Sequence, residues 1–362
     1  MITLGVEEEY LLLDSATGLP VARAAAVRRA AGLHDALAEG EVQRELLQAQ
    51  LEIATPVCHS LDEVGGHLLR MRHSLDAAAR EAGCLLAACG GAPFNWRLPV
   101  PVTPTDRYRA MHAHAPRLTD EQLIAGMHVH VGVPDRQTGV VVLNRLRPWL
   151  PLLVALAANS PMWQGVDTGF ASWRTLVFGR WPVSGAPPSF TDATDYRQRV
   201  DALVANGLIP DTGQIYWHIR LSEHYPTVEV RAMDVQLRPD EAVMLTGVVR
   251  ALAARALTGG HGHHPVPELG FETLSAALWH AARHGTATVF DPVTGGLVPA
   301  TEAVATLLTI IDDGPEGDRR HIVPVLERLL REGNGAVRQR RTLRSGGTAG
   351  LLRMITDETG GA

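Results

Sequence analysis

The sequence predicts an α+β fold, an antiparallel β-sheet with helices packed on its apolar face, and three observations predict it. Five short segments alternate strictly between apolar and polar residues, helix-period segments lie between and after them, and no repeat or extended low-complexity block interrupts the 362 residues. The Pro/Gly-rich stretches are short, so one domain spanning residues 1–362 is expected, with long functional loops and its weakest region after Arg344.

Strand side chains alternate sides, so each of the five segments has one apolar and one polar face. In Ile2 to Leu13, Leu4, Val6, Tyr10 and Leu12 oppose Glu7 and Glu9. Glu8 falls on the apolar side, and an ion pair at the sheet margin is expected for it. Leu47, Leu51 and Ile53 oppose Gln48, Gln50 and Glu52; Met127, Val129, Val131 and Val133 oppose His128 and His130. Ile215, Trp217, Ile219 and Leu221 oppose Tyr216, His218 and Arg220, and Val228, Val230 and Ala232 oppose Thr227, Glu229 and Arg231.

Ser60-Leu61-Asp62-Glu63 reads as a capping box opening a helix to about Ala82, and Pro239-Asp240-Glu241 opens another to about Leu257. Further helical patterns cover Leu143 to Ala158, Leu274 to His284, Ala300 to Ile311 and Arg319 to Arg331.

Composition removes several function classes. All 33 basic residues are arginines, so mechanisms that need a lysine are excluded: the Walker A loop, the protein-kinase strand lysine and the pyridoxal Schiff base. Any nucleotide must be held by arginine and metal. The net charge of -6 and the lack of an arginine face with interleaved aromatics argue against a nucleic-acid partner. No apolar run approaches the ~18 residues that cross a bilayer, so a cytoplasmic protein without membrane association, signal peptide or anchor is expected. Cys58, Cys84 and Cys89 lack metal-type spacing and read as reduced, buried thiols.

If the five strands share a sheet, one face gathers Glu7, Glu9, Glu52 and Glu229 with His128, His130, Arg220 and Arg231. Carboxylates that close repel one another, and hard divalent cations relieve the repulsion, Mg2+ doing so together with substrate phosphates. The four carboxylates Glu7, Glu9, Glu52 and Glu229 therefore point to a nucleotide site holding several Mg2+, or Mn2+, ions. Glu7 and Glu9 lie roughly 6 to 7 Å apart along a strand, suited to two neighbouring metals. Arg231 suits the transferred phosphate because guanidinium is a rigid bidentate fork, and Arg220 would serve the same end or pair with a glutamate. His128 and His130 contact nucleotide phosphates or metal in this reading; the competing reading is a zinc amide hydrolase built on His-x-His. The segment from Asn159 to Arg174, rich in turn formers and aromatics, suits a substrate pocket through Trp163, Asp167, Thr168 and Arg174. His261, His263 and His264 read as a solvated loop.

These residues together resemble the type 2 glutamate-cysteine ligases, the carboxylate-amine ligases, nearly end to end. The resemblance is carried by GVEEEY (5–10), LEIATPVC (51–58), GMHVHVGV (126–133), NSPMWQGVDTGFASWR (159–174), TVEVRAMD (227–234) and Asp291-Pro292. It implies a glutamine-synthetase-like funnel that binds ATP and magnesium, with Glu7, Glu9, Glu52, His128 and Glu229 as the metal and nucleotide set and Arg231 on the phosphate. It further implies phosphorylation of a carboxylate and attack by an amine on the acyl phosphate, with Arg231 and Glu52 catalytic, small-molecule substrates and a homodimer; a non-catalytic ATP-binding relative is the other possibility. Where relatives often have Thr-His-Pro-Phe this chain has Gly91-Ala92-Pro93-Phe94, and where they often have Asp before Ile-Arg it has His218. Both departures bear on the substrates, glutamate and cysteine in the family.

Overall fold

The computed structural model describes residues 2–32, 37–38, 40–94, 99–258, 268–312 and 317–360. Its central feature is a seven-stranded sheet made of β1 (Leu4–Leu13), β2 (Val42–Arg44), β3 (Gln50–Ala54), β4 (Leu85–Ala87), β5 (Gly126–Gly132), β6 (Ile219–Leu221) and β7 (Thr227–Asp234). The order is β6-β7-β5-β1-β3-β2, every pair antiparallel. Leu11 of β1 pairs with Gln50 on one edge and Ala87 of β4 on the other, so β4 continues the β5 side. This is the expected α+β architecture. β2 and β4 were not anticipated, because three residues are too few to reveal a period.

Two local irregularities shape the polar face. The segment expected as one strand from Ile215 to Leu221 is two: Tyr216–Trp217 pairs in parallel with Ser184–Gly185, and only β6 stays in the main sheet, with His218 at the break. The β7–β5 register shifts between Val230 and Met233, so Arg231 and Ala232 together face His128. Such a bulge bends its strand and re-aims the extra side chain.

The apolar face is dry: Val6, Tyr10, Leu12, Leu51, Ile53, Val129 and Val230 are fully or almost fully buried. Helices α1 (Leu61–Glu81), α2 (Arg136–Leu146), α3 (Leu150–Ala157) and α4 (Pro239–Leu257) pack against that face. Ser60 Oγ accepts the Glu63 N–H at 3.2 Å while Glu63 accepts from the His59 N–H at 2.7 Å, a capping box reaching one residue further back than usual. α2 begins seven residues before the expected Leu143 because Asp135 caps it through the Thr138 N–H at 2.8 Å. Arg136–Ala157, broken only by the 3-10 turn Arg147–Trp149, is long and apolar enough to cross a bilayer, but 83 % of its most apolar window is buried as the core helix of the molecule.

Glu8 corrects the sheet-margin expectation. It lies at the centre of the apolar layer, fully buried, with Arg72 of α1 bonded to it at 2.9 and 2.5 Å. Tyr10 donates its hydroxyl to the same carboxylate. The tail is a second correction. Helices α5 (Phe271–His284) and α6 (Gly335–Gly360) are well formed, and α6, kinked at Gly347, buries Leu351 and Ile355 and accepts the Ala88 N–H on Thr359 Oγ1 at 2.8 Å. His261, His263 and His264 lie outside the described residues.

Candidate active site

Alternation on five neighbouring strands delivers the polar set to one cleft. Glu7 stands opposite His128, Glu9 opposite Glu52, and Glu229 opposite both His130 and Arg220. With Arg231 these residues line a cleft of about 440 Å³ whose far wall holds Arg107, Tyr108, Arg174, Phe178, Trp181 and Tyr216. Tyr225 stands at its mouth, edge-on to His130.

Charge is unevenly matched inside. His128 Nδ1 lies 2.9 Å from Glu7 and 3.8 Å from Glu229, its Nε2 3.7 Å from Glu9, and His130 Nε2 3.3 Å from Glu7. Burial alone would raise the Glu7 pKa, but the hydrogen bond with His128 and the nearby His130 ring hold it well below the usual carboxylate range. Glu229 is likewise held down despite burial by Arg231 and Arg220, the latter bonded at 2.6 Å. Arg220 thus makes the ion pair the sequence allowed for, while still lining the cleft.

On the β3 side the balance reverses. Burial, then the charges of Glu7, Glu45 and Glu9, push Glu52 well above its ordinary value. Glu45, which follows β2, is pushed up to about 7 by burial and Glu9. This corner is rich in acids and poor in cations, which is the condition a divalent ion satisfies. Sequence reasoning missed Glu45; the signal was its position just past the strand that pairs with Glu52, seven residues before it.

The donor set fits hard cations. One ligand atom each from Glu7, His128 and Glu229 lies within 4.8 Å of the others, and among the described residues the buried Nε2 atoms of His128 and His130 have no hydrogen-bond partner. Glu9, Glu45 and Glu52 offer a second group of oxygens, although Glu9 also accepts the Gly126 N–H at 2.6 Å.

Of the four residues expected to touch substrate, only Arg174 reaches the cleft. Trp163, Asp167 and Thr168 stand outside it. The segment Asn159–Arg174 hangs from Asp234 at the end of β7, which accepts from Asn159 N, Ser160 Oγ and Ser172 Oγ at 2.8, 2.7 and 2.8 Å. Beyond Ser160 it turns away in a hairpin through Gln164 and Gly165, both at positive φ. Arg340 draws Asp167 outward at 2.7 and 2.8 Å, Thr168 Oγ1 bonds Pro161 O, and Trp163 packs on Ile124, Val177 and Phe178 behind the wall.

Arg174 itself is 1 % exposed, its Nη2 donates to Arg231 O at 3.3 Å, and among the described residues its Nε and Nη1 have no partner. A Cβ on Gly126 would lie 2.1 Å from its Nη2, so glycine there is what lets the guanidinium in. His218 is buried, stacks on Phe178 at 6.3 Å, and is pushed down to about 3 by burial and then by Arg174 and Arg231. It supports the wall from behind, as does the buried Ala92.

Comparison with known proteins follows this geometry. The family model described as glutamate-cysteine ligase family 2 matches residues 3–358. A relative from Saccharopolyspora erythraea, provisionally named glutamate–cysteine ligase 2-1, is 42 % identical over 346 residues, covering 95 % of this chain and 90 % of its own length. Another from Rhodopirellula baltica, provisionally named glutamate–cysteine ligase 2, is 41 % identical over 350 residues, covering 94 % of this chain and 92 % of itself. Among solved structures, the glutamate–cysteine ligase of Francisella tularensis in complex with AMP superposes with a TM-score of 0.71 at 13 % identity, over 99 % of this chain and 88 % of that one. The bifunctional glutathione synthetase of Pasteurella multocida gives 0.72 at 15 % identity, over 99 % of this chain and 52 % of that one. At such identities these two show a shared fold.

Proposed function

Because the chain belongs to glutamate-cysteine ligase family 2, we propose that it is an ATP-dependent carboxylate-amine ligase working through an acyl phosphate, with Mg2+ or Mn2+ as its metal. The observation that carries this reading is the convergence of Glu7 and Glu9 from β1, Glu45 from the end of β2, Glu52 from β3 and Glu229 from β7 on one cleft that also holds Arg231. In this reading Glu7, His128 and Glu229 would hold one cation, and the acids Glu9, Glu45 and Glu52 beside them would attract a second. Bound divalent cations would neutralise the triphosphate and the charge that develops as the phosphoryl group moves.

The chain's own groups do the rest. A substrate carboxylate oxygen attacks the γ-phosphorus, the bond to the bridging oxygen breaks and ADP leaves. Arg231 clamps the moving phosphoryl group; its backbone N–H is fixed on His218 O at 2.7 Å and its guanidinium is braced by Glu229. The amine nitrogen, having lost a proton, then attacks the acyl carbon, phosphate departs and an amide remains. Arg174, buried and unsatisfied, takes a carboxylate of a substrate as its missing partner. Trp181, Tyr108 and Tyr216 shield the acyl phosphate from water.

The surroundings of His128 and His130 do not favour the zinc reading, because the neighbouring side chains are carboxylates and guanidinium groups rather than thiols or further imidazoles. The family reading adds a cytoplasmic homodimer, which sedimentation of the purified protein tests. The names of the relatives make glutamate and cysteine the first pair to assay, within a phosphate-release screen of carboxylates against amines. Phosphate release that requires ATP, Mg2+ and both substrates together supports the reading; ATP turnover indifferent to every amine removes it.

A further inference from the structure

Asp234 ends β7, the strand that carries Glu229 and Arg231, and it is buried. Burial holds its carboxyl above the ordinary range, and the charge of Arg174 is what most pulls it back. Glu8, Glu241 and Asp318 are also buried, and each grips an arginine directly. Asp234 does not. Its Oδ2 accepts the Asn159 N–H and the Ser160 hydroxyl, and its Oδ1 accepts the Ser172 hydroxyl. Both ends of the segment Asn159–Arg174 therefore meet at one carboxylate, where Ser160 and Ser172 also pair in a parallel bridge.

From there the bonds lead to Arg174. Ser160 Oγ accepts the Arg174 N–H at 3.0 Å, and Ser160 O accepts the Trp173 N–H at 3.0 Å. Ser172 caps the helix Trp173–Phe178 by accepting the Thr175 N–H at 3.3 Å. That helix has 6 residues, and isolated helices below about 12 residues are marginal in water. Its direction is set by these tertiary bonds. The backbone around Asp234 is cut to fit: a Cβ on Gly90 would lie 2.6 Å from its carboxylate, and Gly126, which admits the Arg174 guanidinium, is its cross-strand partner.

On the reading that Arg174 receives a substrate carboxylate, we infer that Asp234 is its positioning residue. Acting through Ser160 and Ser172, it fixes the start of the helix Trp173–Phe178 and so holds the Arg174 guanidinium in the cleft beside Arg231. A direct salt bridge would occupy the fork that has to take the substrate. A hold on the backbone leaves Nε and Nη1 without a partner among the described residues. Arg231 is fixed independently, its N–H by His218 O and its guanidinium by Glu229. Cutting the Asp234 bonds therefore moves Arg174 and leaves the nucleotide's contacts in place.

The test is calorimetric titration of L-glutamate, L-aspartate and glutarate, and separately of ATP with Mg2+, into the full chain. Wild type is expected to bind at least one of the carboxylates, and Arg174→Met to bind it at least about tenfold more weakly. Asp234→Ala should lose affinity to the same degree, because a small misplacement of a binding group is costly. Asp234→Asn, whose amide oxygen keeps the Asn159 and Ser160 bonds while its NH2 turns to Ser172 Oγ, should recover to within about threefold of wild type. ATP affinity should stay within about threefold of wild type in the Asp234 and Ser172 variants. If Asp234→Ala fails to fold, Ser172→Gly decides the matter, since glycine caps a helix nearly as well as serine but cuts the Oδ1 bond; it should bind the carboxylate at least about threefold more weakly. A merely structural role would lower the melting temperature and leave the affinity of the folded molecules unchanged. No carboxylate bound by wild type, or equal binding by Arg174→Met, removes the reading of Arg174 and this inference with it. Weakened binding in Arg174→Met, with Ser172→Gly and any folded Asp234→Ala at wild-type affinity, overturns the positioning role alone, as would an equal loss of ATP affinity in those variants.

Discussion

Replacing Arg72 by Met should remove a large part of this protein's stability without touching its chemistry. Arg72 and Glu8 are both fully buried and make two bonds to each other at 2.9 and 2.5 Å. Arg72 also donates to Leu237 O at 2.9 Å and Gln236 O at 3.0 Å. In Arg72→Met the Glu8 carboxylate keeps only the Tyr10 hydroxyl as a donor, and two carbonyls lose theirs. Stranding one member of a buried pair costs about 3–5 kcal/mol, against a total of about 5–15 kcal/mol for a typical domain. Glu8→Gln should cost less, because Arg72 retains both carbonyl acceptors. The double variant Arg72→Met/Glu8→Gln should be more stable than the sum of the singles by about 1–3 kcal/mol, since neither charge is then stranded. Urea denaturation followed by tryptophan fluorescence measures all four proteins. A loss below about 1 kcal/mol in Arg72→Met, or additive singles, would show that the pair is not the ionised, dry contact described.

Other perturbations have equally definite outcomes. Gly126→Ala drives a methyl into Arg174 and should raise KM for the carboxylate-bearing substrate by at least about tenfold with little change in ATP binding, read by steady-state kinetics. Thr359→Val strands the buried Ala88 N–H and should cost about 1–3 kcal/mol in the same urea assay. His218 has a folded pKa pushed down to about 3 from 6.5, so its neutral form is bound more tightly to the native state than to the unfolded one. Its contribution is intact above pH 6.5 and drains away as pH falls toward about 3. Between pH 6.5 and 5 the wild type should lose about 1.6 kcal/mol more than His218→Phe; parallel pH profiles for the two proteins would contradict this.

The polar face was legible in the sequence because its strands bury one side and leave the other to a cleft, so Glu7, Glu9, Glu52, His128, Glu229 and Arg231 stand out as breaks in an apolar period. α4 was legible to its last residue because Pro239 and Glu241 mark its start and the helix is regular. Glu45 was hidden by a strand too short to have a period, and Glu8 was misjudged because its partner lies 64 residues away on α1. The split at His218 and the bulge at Arg231 are tertiary adjustments that leave alternation in the sequence untouched. Trp163, Asp167 and Thr168 looked like pocket residues by composition, but the direction of their hairpin is set by Asp234 and Arg340, which no local pattern reveals. The tail after Arg344, expected to be the weakest region, is helical and kinks at Gly347.

The central claim is that the converging carboxylates bind ATP through divalent metal, and calorimetric titration of ATP into wild type and Glu52→Ala, each with Mg2+ and with EDTA, tests it most directly. Wild type should bind only with Mg2+, and Glu52→Ala should bind at least about tenfold more weakly while melting no lower than wild type, since it removes a carboxyl that its neighbours repel. ATP binding of equal strength in EDTA, or undiminished in Glu52→Ala, would contradict the account.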